Sequence, residues 1–298
     1  MHKIPDHILV LPRLRVQNVN CISGPLTWGF PTVSSFCGFT HAISRKLSSE
    51  TALNGVGIIS HSFEPQAHKT GYEKRFSQTR NPLESDGSTA GIIEEGRAHI
   101  TVSLLIGVYG QQPDIKELTG IIQSLKIAGG SILPLKREPY FVTLNQYKQE
   151  DYPVFRKTVR KFLPGFALQD RSDFLAQHHS QMQSECPDKT LLDALLDLSA
   201  LKYGFAETED GKAEWYPYSE KKGWLVPIPV GYIGISPVYQ PGEVKNTRDT
   251  ETPFRFVEAA YSLGEWKNPL KLGGFDEILW FYDADGDVYS CKHKKFYE

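Results

Sequence analysis

Arginine and asparagine recur beside aromatic residues in this sequence, and that mixture has a chemistry. Guanidinium groups hold phosphates, carboxamides meet base or sugar edges, and aromatic rings stack on bases. The first set lies in LPRLRVQNVNCISGPLTWGFP (11–31), with Arg13, Arg15, Asn18, Asn20, Trp28 and Phe30. Arg80, Asn81 and Arg97 fall in and beside a long polar stretch, and Lys245, Asn246, Arg248 and Arg255 lie far downstream. Gly129, Gly130 and Ser131 offer close backbone approach to a nucleotide, and read equally well as a helix stop. Each residue alone is weak: an exposed arginine is usually just solvated, and Trp28 or Phe30 suits a core. Together they make an extended anion, single-stranded RNA foremost, the leading ligand.

Other chemistries fare worse. Asp283, Asp285 and Asp287 invite a calcium reading, but position twelve of such a loop would be Lys294, so a hairpin turn is expected. His178-His179 and the distant Cys186 lack metal-ligand spacing. No GxxxxGK[ST] motif surrounds Gly129, and neither Ser88 nor Ser131 sits in GxSxG. Glu94 and Glu95 are adjacent, so on a strand they face opposite ways. A metal-independent ribonuclease needs only one positioned base beside a 2′-hydroxyl, and His41 is the nearest candidate. That activity stays as the alternative to pure binding.

The formal net charge of −2 carries no nucleic-acid signal, but it hides segregation. Residues 1–82 hold nine Lys/Arg against four Asp/Glu (+5), and 136–161 hold seven against three (+4). Residues 183–220 hold three against nine (−6). The four cysteines form no CxxC pair, so neither a zinc ribbon nor a disulfide framework is suggested. With no signal-like segment and no apolar run long enough for a bilayer, the cytoplasm is the expected location and no membrane contact is foreseen.

The elements that must position these groups follow from periodicity. Leu14 and Val16 alternate with Arg13, Arg15 and Gln17, as in a half-buried strand. Phe36, Phe39, Ile43 and Leu47 recur at helical spacing, with Ser34 or Ser35 as N-cap. Strands are expected over 55–61 and 98–108, separated by a polar excursion from 63 to 88 with turn residues at Asn81-Pro82 and Asp86-Gly87. That pattern predicts a projecting β-hairpin. Asp114-x-x-Glu117 opens a second helix through Leu125 that ends at Gly129-Gly130, and residues 131–134 leave as an extended segment. Strand, helix, strand, hairpin, strand, helix, strand suits a ferredoxin-like or RRM-like α+β sandwich, although the aromatic RNP signature of an RRM is absent. Residues 151–203 read as helical and 204–222 as an acidic connection. The remainder reads as β-rich, with a helix near 252–263 and a terminal hairpin at 278–282 and 288–291.

The sequence also resembles a known family, the Cas-five-type (second Csy) subunits of type I-F CRISPR surveillance complexes, the Csy or Cascade assemblies. The blocks that carry this are LPRLRVQNVNCISGPLTWGFP (11–31), TRNPLESDGSTAGIIEEGRAHITVSLL (79–105), AGGSILP (128–134), LPGFAL (163–168), LLDALLDL (191–198), GWLVPIPVGY (223–232), SPVYQPGEVKNTRDTETPFRFVE (236–258) and LGEW (263–266). The intervening segments match less distinctly. The resemblance implies an RRM-like core over 1–145 with a thumb insertion at about 63–97. A helical segment (146–210) would follow, and a β-rich C-terminal region (211–298) would complete the core. It further implies a non-catalytic, cofactor-free ribonucleoprotein subunit for antiviral defence. Such a subunit binds the 5′ handle of the CRISPR RNA (crRNA) and pairs with the large, Cas-eight-type subunit. It also touches the first Cas-seven-type backbone subunit and lies near target DNA at the tail of the complex.

Overall fold

The computed structural model describes residues 3–48, 50–80, 83–207, 210–217, 223–247 and 249–296. Asn81 and Arg248 lie outside the described residues. Strand β1 (His7–Asn20) runs into a small ladder of β2 (Ile22–Gly24) and β3 (Thr27–Trp28), then helix α1 (Val33–Ser44). Strand β4 (Thr51–Pro65) leads outward to two ladders, β5 (Ala67–Thr70) with β6 (Glu73–Phe76) and β7 (Gln78–Arg80) with β8 (Ile92–Glu94). These four short strands pair only within their own ladders and not with the main sheet. Strand β9 (Arg97–Gly110) returns, and α2 (Ile115–Ser124), β10 (Lys126–Ile127) and β11 (Gly130–Ile132) follow. The strand–helix order expected over 8–134 is thus the order found, in an α+β fold dominated by one large antiparallel sheet.

Next come β12 (Tyr140–Thr143), α3 (Lys148–Arg160), β13 (Phe166–Asp170), α4 (Ser172–Glu185) and α5 (Leu191–Ser199). The hairpin β14 (Tyr203–Glu207)–β15 (Ala213–Pro217) precedes β16 (Trp224–Gly234), β17 (Val257–Lys267), β18 (Leu279–Asp285) and β19 (Val288–His293). In the main sheet the order is β10-β11-β1-β9-β4-β13-β17-β16-β19-β18. β18 also pairs with β4, so six strands from β4 to β18 close into a ring. α1 packs against β4, β16, β18 and β19 from one side. Trp280 is fully buried in the core those elements share, its indole N–H donating to the Leu168 carbonyl (2.9 Å).

Burial explains the periodicities. On β9, Ala98, Ile100, Val102 and Leu104 enter the core that α1 and α2 cover. On the other face Leu105 joins Ile8, Val10 and Ile59 beneath Phe155, Val159 and Phe162, from α3 and just beyond it. Among the described residues no helix is long and apolar enough to cross a membrane.

Several sequence expectations are corrected. The stretch 252–263 is not a helix, because Val257–Lys267 pairs with β16 on one edge and β13 on the other. The acidic stretch 204–222 contains a hairpin. α2 ends before Leu125, so Gly129 and Gly130 belong to a strand turn. Thr32, not Ser34 or Ser35, precedes α1, and its hydroxyl donates to the Pro229 carbonyl (2.8 Å) instead of capping the helix. Asp114 does cap α2, accepting from the N–H groups of Lys116 and Glu117 (2.9 Å each).

Candidate nucleic-acid interface

The pairing of β1 with β9 slips twice, between Leu11 and Leu14 and between Val16 and Val19. The extra residues at these bulges include Arg13 (φ 49°) and Asn18 (φ 58°), both left-handed. A non-glycine residue held this way costs about 1–3 kcal/mol and persists only where its surroundings fix it. Here they do. The Arg13 N–H donates to Ser103 Oγ (2.9 Å), and its Nη2 donates to the Leu163 carbonyl (3.2 Å). The Asn18 N–H donates to His99 Nδ1 (3.3 Å), and the Gln66 carboxamide bridges Asn18 Oδ1 and the His99 ring.

Ser103 also meets His61 Nε2 (2.7 Å), whose Nδ1 lies 2.9 Å from the Pro164 carbonyl. A carbonyl can only accept, so Nδ1 carries the proton and Nε2 accepts from the serine hydroxyl. Burial chiefly holds the His61 pKa below the ordinary value, with the Arg13 and Arg137 charges adding and the Pro164 hydrogen bond opposing, and so favours this neutral form.

These residues share one face. Arg97, His99, Thr101 and Ser103 alternate along β9 opposite the core side, and Arg15 and Ser62 flank Thr101 on the neighbouring strands. The Nε of Arg15 is buried with no hydrogen-bond partner among the described residues. Arg97 donates twice to Glu95 Oε2 (2.9 and 2.8 Å) and once to the Asn18 carbonyl (3.5 Å). The pair is about one-third exposed, so it remains accessible to a competing anion.

At the end of this strip opens a cleft of about 700 Å³, lined by Asn20, Ser23, Thr32, Ser35, Arg97, Gly129 and Tyr232 among others. The Asn20 side chain closes a tight turn on the Ile22 backbone, and its N–H donates to the Ala128 carbonyl (2.9 Å). Gly129 turns with φ 75°, and a Cβ on Gly130 would fall 2.6 Å from the Gln17 oxygen. Gly130 is thus required by strand approach, and Ser131, exposed, pairs between Gln17 and Lys126.

The structure brings Arg13, Arg15, Asn18 and Arg97 onto one face and Asn20, Arg97 and Gly129 into one cleft. Others fall elsewhere. Phe30 packs on the core, stacked on Phe36 (5.7 Å) and edge-on to Trp266 (4.9 Å). Trp28 is exposed, edge-on to Phe76 (5.2 Å), and both Trp28 and Phe30 line a second, more apolar cleft of about 390 Å³. In that same cleft burial pushes the Cys21 thiol up to about 11. Arg80 ends β7. Lys245 and Asn246 are exposed on the segment after β16 and line neither cleft. Arg255 donates to the Ser236 carbonyl and to Asp287 (2.7 Å each), tying that segment to the terminal hairpin.

Among the described residues no group of three or more His, Cys, Asp or Glu could hold a metal ion. His178 pairs with Asp197 (2.9 Å), His179 meets the Lys189 carbonyl (3.0 Å), and His41 is exposed on α1 outside both clefts. Sequence reasoning missed His61, Gln66, His99, Thr32, Ser35 and Tyr232. Period two along 97–103 was a usable signal for His99. The cleft residues come from three distant segments and left no local sign.

The arrangement defines a class: an α+β protein with a cationic, amide-rich sheet face running into an open cleft. Comparison with known proteins sharpens it. The family model described as CRISPR-associated protein (Cas_Csy2) matches residues 9–291. The CRISPR-associated protein Csy2 of Pseudomonas aeruginosa (strain UCBPP-PA14) is 42% identical over 319 residues, covering 99% of this chain and 97% of that protein. The chain belongs to the Csy2 family, the Cas-five-type subunits of type I-F Csy (Cascade) complexes.

Proposed function

We propose that this chain is the non-catalytic subunit that holds the 5′ handle of the CRISPR RNA, with the sheet face as its track. The observation that carries this reading is the continuity of Arg13, Arg15, Asn18 and Arg97 with the cleft at Asn20 and Gly129. Phosphates would meet the guanidinium groups. Unstacked bases would enter the cleft, where hydroxyls of Thr32, Ser35 and Tyr232 and the amide of Asn20 offer donors and acceptors.

In this reading β11, β1, β9 and β4 with α1 and α2 are an RRM-like core, supported by their strand order and by helices on one face. The ladders β5–β8 are its thumb. The large subunit and the first backbone subunit are its protein partners, target DNA passes nearby, and the complex works in the cytoplasm.

The experiment is handle-RNA binding by filter retention across a salt series, for wild type and an Arg15→Ala, Arg97→Ala variant. Loss of two phosphate contacts lowers affinity and flattens the slope of log K against log salt by about 0.7 per contact. Unchanged affinity in a folded variant would sink the assignment. Incubating the protein with repeat RNA in EDTA leaves the RNA intact; site-specific cleavage would instead establish a metal-independent endoribonuclease.

A further inference from the structure

The β14–β15 hairpin stands apart from the main sheet. A two-stranded ribbon is marginal in water unless its face is covered, and the described residues leave that face exposed. Register places Tyr203 opposite Pro217 and Phe205 opposite Trp215, so all four share one side. The Phe205 and Trp215 rings lie 5.9 Å apart and are 66% and 68% exposed. The apolar character continues back through Leu201 (73% exposed) to Leu196 (58%) on the outer side of α5. Inward, Ala194 and Leu195 anchor the helix on Leu175, Leu225 and Leu263, so the outer leucines are not needed for that packing.

We propose that this aromatic hairpin and the outer side of α5 form a docking surface for a second protein, one presenting an apolar recess rimmed by Lys and Arg. Charge selects the occupant. Residues 183–220 carry three cations against nine anions, a net −6. Glu207, Asp210 and Glu214 are exposed on the hairpin itself. RNA phosphates and anionic lipid share that sign and are repelled. A second copy would bring another −6 to the same contact. A cation-rimmed protein gains on both counts: it covers the aromatic anchors, as interface hot spots require, and it complements the rim.

This inference rests on the reading of the chain as a subunit of a larger complex, and the test separates the two. The chain is co-expressed with the other complex subunits and CRISPR RNA, as wild type, as Phe205→Ser, Trp215→Ser, and with a photo-crosslinking phenylalanine analogue at position 205. Wild type enters the complex, and the double variant enters it about tenfold less while its thermal midpoint and handle-RNA affinity stay unchanged. The crosslink maps to a Lys/Arg-bearing peptide of another protein subunit. Equal incorporation of wild type and variant overturns the docking surface and leaves the proposed function standing. A crosslink to RNA or to a second copy, or no crosslink in the assembled complex, overturns it too. Failure of wild type itself to assemble overturns the subunit reading and this inference with it.

Discussion

Replacing Ser103 with alanine tests the hydrogen-bond chain that holds the Arg13 bulge. Ser103 is fully buried, so its hydroxyl bonds only to the protein. The change leaves the Arg13 N–H and His61 Nε2 without partners at once. Each buried group left unpaired costs about 1–3 kcal/mol, and both are only partly screened from solvent. Values near the lower end apply, for a total of about 2–3 kcal/mol. Equilibrium urea denaturation reads this as a lower midpoint with an unchanged slope.

The same chain has a pH signature. His61 binds protons less readily when folded than its ordinary value of 6.5, so the folded state holds fewer protons than the unfolded one around that pH. Its contribution is complete above 6.5 and is lost as pH falls through the lowered folded value. Wild type therefore loses stability as pH falls below about 6.5 relative to His61→Asn, which cannot titrate. A loss under about 0.5 kcal/mol in Ser103→Ala, or parallel pH curves for wild type and His61→Asn, would refute the reasoning.

Gly130→Ala drives a methyl group to within 2.6 Å of the Gln17 oxygen and 2.9 Å of the Val19 nitrogen, both main chain that cannot rotate aside. It destabilises by about 1–3 kcal/mol in thermal melts and weakens handle-RNA binding, because the displaced turn carries the Gly129 wall of the cleft. Arg255→Gln releases the segment after β16 from Asp287, which raises amide exchange over 235–256 while leaving RNA affinity within about twofold, since this guanidinium is engaged within the chain.

How much of this was legible follows from the physics of each signal. Strands β1 and β9 were plain because one face is buried and the residues alternate, and the turn at Asp285-Gly286-Asp287 was plain from its chemistry. The bulges were not. Nothing in Arg13 or Asn18 announces a left-handed residue; partners on β9 and beyond impose it. The stretch 252–263 misled because Phe256, Ala260 and Leu263 happen to lie at helical spacing, while edge pairing on both sides decides the outcome. In the acidic run, charge hid the alternation of Tyr203, Phe205 and Trp215. The proposed RNA track was half visible: its arginines and asparagines stand in the sequence, but Thr32, Ser35 and Tyr232 meet them only through the folded sheet.

The ring of six strands has a consequence for how this chain is made. Gly57 pairs with Leu279, and Ile59 pairs with Ala167 on the same edge of β4. As the polypeptide leaves the ribosome, β4 can pair with β9 early, but on its outer edge Ile59 and Ser60 wait for β13, and Val56 and Gly57 wait for β18 far downstream. An open edge in a nascent protein is a template for mispairing. Closure of the ring therefore waits for β18, and a fragment ending near residue 145 would keep that edge exposed permanently.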